Sequence, residues 1–137
     1  QDLDVDRANS RAAWLGRPGE RFDRLALATP TGFRPGAAET LADGSVMLVQ
    51  KAYYPLKRRN GLILQHIKPS QLLSKTLVQG ETLLDVESRS SQQAILDNIE
   101  GLGGFIDNNR QYLLLLSDDN LGNAPQQNRL LLFEMAP

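Results

Sequence analysis

The sequence predicts an all-β protein made of β-propeller-like antiparallel blades, corresponding to the C-terminal two to three blades of a larger propeller. Two observations carry this prediction. Short apolar runs bounded by turn residues dominate the 137 residues, and one strand–turn–strand pattern occurs twice along the chain. Because blades are stacked sheets, a blade in the middle of the stack is covered on both faces, and both faces of its strands are then expected to be apolar.

The strands are predicted from the position of these apolar runs. The N-terminal segment up to Leu27 is expected to form two or three weak strands joined by loops that contain glycine and proline. Further along are SVMLVQ (45–50), GLILQHI (61–67), QYLLLLS (111–117) and RLLLFEM (129–135). Their apolar character is continuous rather than alternating, which indicates burial on both faces of a sheet. TLVQGETLLDV (76–86) predicts one more strand or a bent pair, and KPSQLLSK (68–75) predicts a single helical turn opened by Pro69 and Ser70.

The repeat is visible when AETLADGSVMLVQK (38–51) is aligned with IEGLGGFIDNNRQYLLLLSD (99–118). Each segment contains Glu-x-Leu, then Asp followed by Gly or Asn, then four apolar residues and then two polar residues. The alignment makes Glu39 equivalent to Glu100 and predicts repeat units of about 34–86 and 96–135 within a single domain or C-terminal fragment spanning 1–137. Propeller blades repeat at about 40–50 residues, so the loops of the first unit would take up the excess.

The composition of the chain argues against several kinds of partner and site. The net charge is −1, which gives no electrostatic reason to expect nucleic acid as a partner. The chain has no cysteine, so disulfides and thiolate metal sites are excluded. No apolar run approaches the length that crosses a bilayer, so no membrane span is expected. Residues 1–6 are neither basic nor apolar enough for a signal peptide. Because two or three blades leave apolar faces uncovered at both ends, we expect the sequence to be the C-terminal part of a longer chain.

A hairpin is predicted around the turn Asp107–Arg110. This turn sets a register in which Glu100 faces Ser117 and Asn98 faces Asp119. Asn98 and Glu100, two positions apart, would share one face of their strand. The hairpin would then gather five polar residues at one end, which is the mouth of the channel in a propeller: Asn98, Glu100, Asp118, Asp119 and Asn120.

Carboxylates gathered in this way repel one another unless a cation or protons intervene. Oxygen donors without His or Cys suit Ca²⁺ or Mg²⁺, so these five residues are candidate ligands of Ca²⁺. Glu100, Asp118 and Asp119 are also the candidate catalytic residues. The alternative is structural: Asp118–Asn120 forms an Asx-type turn, and Glu100 forms a salt bridge with an arginine.

Basic side chains are candidates for binding the phosphate of a substrate. They are Lys51, Lys57, Arg58 and Arg59. The alternative for 57–59 is a solvated hairpin tip. His66 is the only histidine, so a site with two histidines is excluded. His66 is a candidate general base, and the alternative is a surface or packing role.

NIEGL, LLLLSDDN and RLLLFEM together resemble the C-terminal end of the bacterial phytase-like domain, the family called "esterase-like activity of phytase". Asn98, Glu100, Gly101 and the run Ser117–Asn120 carry the match, which extends over Arg34–Met135. The chain departs from the pattern at Asn128, which stands between the expected Gln and Arg. The resemblance implies a propeller-like fold, hydrolysis of esters or phosphoesters, and a periplasmic or secreted location.

Three functions remain open from the sequence. The first is a cation-dependent hydrolase of a small-molecule ester or phosphoester. The second is a non-catalytic propeller used as a binding or scaffold module, and the third is a calcium-dependent lactonase of the propeller type. In each case the apolar faces at the ends of the stack predict a partner, either the N-terminal remainder of the propeller or a self-associated copy.

Overall fold

The computed structural model describes residues 9–54, 59–74, 77–87, 98–119, 121 and 127–135. Most of these residues lie in strands, and the strand pairs are antiparallel with one exception, so the all-β prediction is confirmed. The elements are β1 Ser10–Leu15, β2 Asp23–Ala28, β3 Phe33–Thr40, β4 Val46–Tyr54, β5 Arg59–Ile67, α1 Pro69–Leu72, β6 Leu77–Val78, β7 Glu81–Glu87, β8 Ile99–Asp107, β9 Arg110–Ser117 and β10 Arg129–Glu134.

These strands form three sheets over the described residues. Sheet I has the order β1-β2-β6, sheet II the order β3-β4-β5-β7, and sheet III the order β10-β9-β8. The exception to antiparallel pairing is β6, which runs parallel to β2. The segment predicted as one strand or a bent pair is therefore divided: β6 extends sheet I, whereas β7 completes sheet II.

Sheet II lies between the other two, and the alternation of its residues explains the continuous apolar runs. Met47 and Val49 of β4 face sheet III, whereas Leu48 faces sheet I. The core between sheets II and III contains Met47, Val49, Leu62, Leu64, Ile99, Leu113 and Leu115. The core between sheets I and II contains Leu25, Leu48, Ile67 and Val78. Burial on both faces, predicted from the VMLV run, is confirmed.

Backbone contact between sheets II and III is mainly between β3 and β8. Gly36 of β3 permits this approach, because a Cβ atom at this position would lie 3.2 Å from the carbonyl oxygen of Ile99 and 3.3 Å from Cδ of Lys51. The missing side chain thus leaves room both for the β8 backbone and for the stem of a lysine.

The turns follow the sequence signals. Asn108 and Asn109 have φ angles of 47° and 61°, the left-handed pair that a two-residue hairpin turn needs. In the β3–β4 connection, Gly44 has a φ angle of 80°, and Asp43 accepts hydrogen bonds from the Ser45 amide and hydroxyl at 2.9 and 2.6 Å.

The helical prediction is also confirmed, since α1 is a short helix that begins at Pro69. The Gln71 side chain caps the N-terminus of this helix by accepting a hydrogen bond from the Lys68 amide at 2.7 Å. The described residues hold no helix with the length and apolar character that a bilayer crossing requires.

The repeat is present in the hairpins, but the equivalence of Glu39 and Glu100 is wrong. Both hairpins contain a bulge in their first strand, between Pro35 and Ala37 in β3 and between Ile99 and Gly101 in β8. When the bulges are matched, Glu100 corresponds to Gly36. The second strands do align as expected, because Val49 and Leu116 each pair with the residue after the bulge.

We expect Ile99→Ala to lower the free energy of unfolding by about 2–5 kcal/mol, because it leaves a cavity between sheets II and III. Ile99 is fully buried there. Urea denaturation measures the change. Leu83→Ala is the control, since Leu83 is 46% exposed, and equal effects of the two substitutions would contradict the stacking of these sheets.

Candidate functional site

Three polar side chains converge between β4 and the start of β8, and we call Lys51, Asn98 and Glu100 the Lys51 cluster. The Lys51 Nζ atom donates hydrogen bonds to Asn98 Oδ1 at 2.7 Å and to Glu100 Oε1 at 2.9 Å. Asn98 Nδ2 donates to the same Glu100 oxygen at 2.9 Å. The cluster thus joins sheet II to sheet III through one ion pair and one hydrogen bond to an amide, while the contact between Asn98 and Glu100 lies within the segment at the start of β8.

The bulge at Glu100 decides which side chains reach this cluster. From Gly101–Leu116 to Asp107–Arg110 the pairing follows the predicted register, but beyond the bulge Ile99 pairs with Ser117. The Asp118 amide then donates to the Asn98 carbonyl at 2.9 Å. The predicted hairpin is therefore confirmed, whereas the pairs Glu100–Ser117 and Asn98–Asp119 are wrong by one residue.

A physical reason for the bulge is the burial of Ile99. Ser117 points toward sheet II and is 1% exposed, so a residue directly opposite it would point into the same core. An unbulged register would place the Glu100 carboxylate there, at the cost of removing a charge from water. The bulge instead gives the inward position to Ile99, which is fully buried.

Lys51 is held tightly for a lysine, with 15% of its side chain exposed against 49% for Glu100. Its stem lies beside Gly36, and Arg34 is its partner across the β3–β4 pair. Two cations in neighbouring positions repel one another, so the Glu100 carboxylate offsets their charge. The prediction that Lys51 binds substrate phosphate stays a prediction, and in this structure Glu100 is the anion that Lys51 contacts.

The electrostatics of Glu100 follow from these contacts. The hydrogen bond from Lys51 lowers the pKa of Glu100 from its ordinary value of 4.5, and the hydrogen bond from Asn98 and the charge of Lys51 act in the same direction. Glu100 is therefore ionised at neutral pH. The alternative prediction is a salt bridge between Glu100 and an arginine. Glu100 does form a salt bridge, but its partner is Lys51.

Asp118 and Asp119 follow β9 at the same end of the hairpin and are half-buried. The Asp119 amide donates to Asn128 Oδ1 at 3.0 Å. Asn128, the residue that departs from the family pattern, thus stabilises the chain after β9. Asn120, Lys57 and Arg58 lie outside the described residues, and Arg59 is the first residue of β5.

Ser117 joins the end of β9 to the start of β10. Its hydroxyl group donates to the Gln127 carbonyl at 2.7 Å and accepts from the Arg129 amide at 2.9 Å. Both contacts of this buried hydroxyl group are to backbone atoms. Ser117 thus bonds the backbone on both sides of Asn128, and with the hydrogen bond between Asp119 and Asn128 it holds the end of β9 beside the residues that precede β10.

The fit of calcium to this site can be judged from its oxygen donors. Ca²⁺ takes about six to eight oxygens at about 2.3–2.6 Å. In the described parts of the chain, no group of three or more His, Cys, Asp or Glu could hold a metal ion. The Lys51 ammonium already occupies the position between the Asn98 and Glu100 oxygens, so these donors fit an ammonium and do not fit calcium while Lys51 is there.

A second polar region, between sheets I and II, was missed by sequence reasoning. Gln50 Nε2 donates to Gln65 Oε1 at 2.7 Å and to the Ala28 carbonyl at 3.0 Å. Both glutamines are buried, and Gln50 Oε1 is a buried atom without a hydrogen-bond partner among the described residues. Beside Gln65 is a pocket of about 270 Å³ lined by uncharged residues, including Thr29 and Gln79. Each glutamine follows an apolar run, and no local sequence signal distinguishes it from a surface residue.

The lowered pKa of Glu100 predicts a pH effect. Because the folded-state pKa lies below 4.5, the ion pair stabilises the fold above that pH, and the stabilisation is lost as the pH falls through the folded-state value. Half of the Glu100 side chain is exposed, so the effect is small, under about 1 kcal/mol.

An NMR titration of the Glu100 carboxyl group measures this effect. We expect Lys51→Met to return the pKa of Glu100 toward its ordinary value, and Lys68→Met, on a distant surface, to leave it unchanged. Identical titration curves for wild type and Lys51→Met would contradict the cluster.

A scan against protein-family models finds no match for this chain. A search of the curated proteins and a search of the solved structures likewise find none.

Proposed function

We propose that the chain is part of a propeller-like hydrolase of esters or phosphoesters, with its active site beside the Lys51 cluster. The observation that supports this most is the convergence of an ammonium, an amide and a carboxylate within 2.9 Å at the start of β8. Asn98 and Glu100 are two of the residues on which the resemblance to the phytase-like family rests, and Lys51 reaches them from the neighbouring sheet.

The propeller-like architecture is supported by the stacking of the sheets. A middle sheet of four antiparallel strands is covered on both faces by other sheets, as in a stack of blades. The first strands β3 and β8 provide most of the backbone contact between sheets II and III, as expected for strands near the axis of a propeller.

The proposed roles follow from charge and position. Lys51, with Arg34 across the strand pair, would bind a substrate oxyanion through charge-assisted hydrogen bonds. Its lowered pKa makes Glu100 a weak base, so we assign it to positioning Lys51. Asp118 or Asp119, at the same end of the hairpin, would accept a proton from the water that attacks the ester. Lys57, Arg58 and Arg59 remain proposed contacts of the substrate phosphate.

Calcium remains a proposed cofactor, and no step of this hydrolysis depends on it. Its candidate ligands are Asn98, Glu100, Asp118, Asp119 and Asn120. A periplasmic or secreted location is proposed on the resemblance alone.

A non-catalytic binding or scaffold module is the second candidate, and one observation favours it. Lys51 and Glu100 neutralise each other and join two sheets, which is a sufficient structural role for both residues.

Hydrolysis of p-nitrophenyl phosphate, p-nitrophenyl acetate, phytate and a simple lactone tests the proposal. We expect Lys51→Met to reduce kcat/KM for the phosphoester about tenfold or more, because one donor to the developing charge is lost. The neutral acetate should be affected less. Lys68→Met is the matched control, and absence of turnover on every substrate would favour the non-catalytic module.

Calcium binding is tested by thermal melting with and without calcium chloride. If the oxygens around Lys51 are calcium ligands, calcium should raise the Tm of Lys51→Met more than that of wild type, because the competing ammonium is gone. Glu100→Gln should abolish the rise. A Tm that calcium leaves unchanged in wild type and in Lys51→Met would remove calcium from the proposal.

A further inference from the structure

The side of sheet III that faces away from sheet II, which we call the outer face of sheet III, is apolar, and no other described sheet covers it. Residues on β9 alternate, so Leu113 and Leu115 are buried against sheet II while Leu116 is 50% exposed. On β10, Leu130 and Leu132 pair with Leu116 and Leu114 and are 63% and 58% exposed. Phe105 of β8 adds a ring that is 45% exposed and stacks on Tyr112.

The repeat identifies what kind of surface this is. Matching the two bulges makes Val49 of sheet II equivalent to Leu116 of sheet III, and Met47 equivalent to Leu114. Met47 and Val49 are fully buried because sheet III covers them. The outer face of sheet III therefore carries the positions that are equivalent to Met47 and Val49, which sheet III buries on sheet II. By this equivalence, another sheet is the element expected to cover the outer face of sheet III.

The opposite end of the stack carries a second face that none of the described sheets covers. On β1, Ala13 and Leu15 pack toward sheet II, whereas Trp14 points away and is 63% exposed. On β6, Val78 is buried and Leu77 is 50% exposed. We call this side, with Trp14 and Leu77, the outer face of sheet I.

We propose that a second copy of this chain covers both faces, with the outer face of sheet III of each copy packed on the outer face of sheet I of its partner. Two copies joined head to tail in this way make two equivalent contacts and close a ring of six sheets, three from each copy. Head-to-tail contacts close into rings when the rotation permits, and rings of about four to eight stacked sheets are the known range of propellers.

Shape and charge on the two faces are compatible with this contact. Gly101 and Gly103 leave β8 without side chains on the outer face of sheet III, and a Cβ atom at Gly103 would meet nothing within 4 Å. At Gly101 a Cβ atom would lie 3.0 Å from Cβ of Leu116, so the room for a large side chain such as Trp14 is at Gly103. Arg24 pairs with Trp14 on sheet I. On sheet III, Glu134 lies beside Tyr112 and forms an exposed ion pair with Arg110 at 3.4 Å, so charged groups border both apolar faces.

Analytical ultracentrifugation of the 137-residue chain over a concentration series tests the proposal with two single substitutions. Leu132→Lys places a charge on the outer face of sheet III, and Trp14→Lys places one on the outer face of sheet I. Each should raise the dissociation constant of the dimer about tenfold or more, because every dimer contains the change twice. Leu83→Lys, at an exposed position of β7, is the control and should leave the dimer intact.

An equimolar mixture of Leu132→Lys and Trp14→Lys is the decisive sample. The Trp14→Lys copy retains an intact face on sheet III, the Leu132→Lys copy retains an intact face on sheet I, and the two should form a heterodimer through that one contact. Its appearance also shows that both variants are folded. A Trp14→Lys chain that dimerises as tightly as wild type, a mixture without heterodimer, or a wild-type chain that stays monomeric at every concentration would overturn the proposal.

Discussion

The structure depends on covering sheet II on both of its faces at once. Its strands β4 and β5 carry apolar side chains at consecutive positions, so neither face can be left to water without exposing a core. This requirement places sheet I on one side and sheet III on the other. Sheet II therefore lacks the usual division into one buried and one solvent-exposed face. The Lys51 cluster exists because sheet III is drawn against sheet II: Lys51 comes from one sheet, and Asn98 and Glu100 come from the other.

Much of this arrangement was predictable because its signals are local. Turn residues such as Asn108 and Asn109 mark where a hairpin reverses, and the continuous apolar run of β4 marks a strand that is buried on both faces. The convergence of Asn98 and Glu100 also follows from two positions on one strand near a known turn. What the sequence could not supply was the identity of the cation beside them, because Lys51 comes from a different sheet and its distance from Glu100 depends on how two sheets stack.

The bulge at Glu100 shows where local reasoning ends. The strand register extrapolated from the turn is correct as far as Gly101 and then fails. The choice between burying Ile99 and burying Glu100 depends on how sheet III packs on sheet II. The same bulge explains the mistaken match of Glu39 with Glu100. Both glutamates precede a leucine by two residues, yet only Glu100 is the extra residue of a bulged strand.

The buried pair Gln50–Gln65 has a consequence for the uniqueness of the fold. Two apolar faces can slide along each other by one residue pair with little loss, since contacts between aliphatic side chains have no direction. The hydrogen bond from Gln50 to the Ala28 carbonyl has a direction. The bond from Gln50 to Gln65 lies within sheet II, so a shift of sheet I would break only the bond to Ala28 and would cost the buried Gln50 amide one of its two hydrogen bonds. Replacing both glutamines by leucine would therefore make the layer between sheets I and II more apolar but would let sheet I dock in several positions. The unpaired Gln50 oxygen lowers the stability of the fold slightly, whereas the hydrogen bond to Ala28 favours one position of sheet I on sheet II.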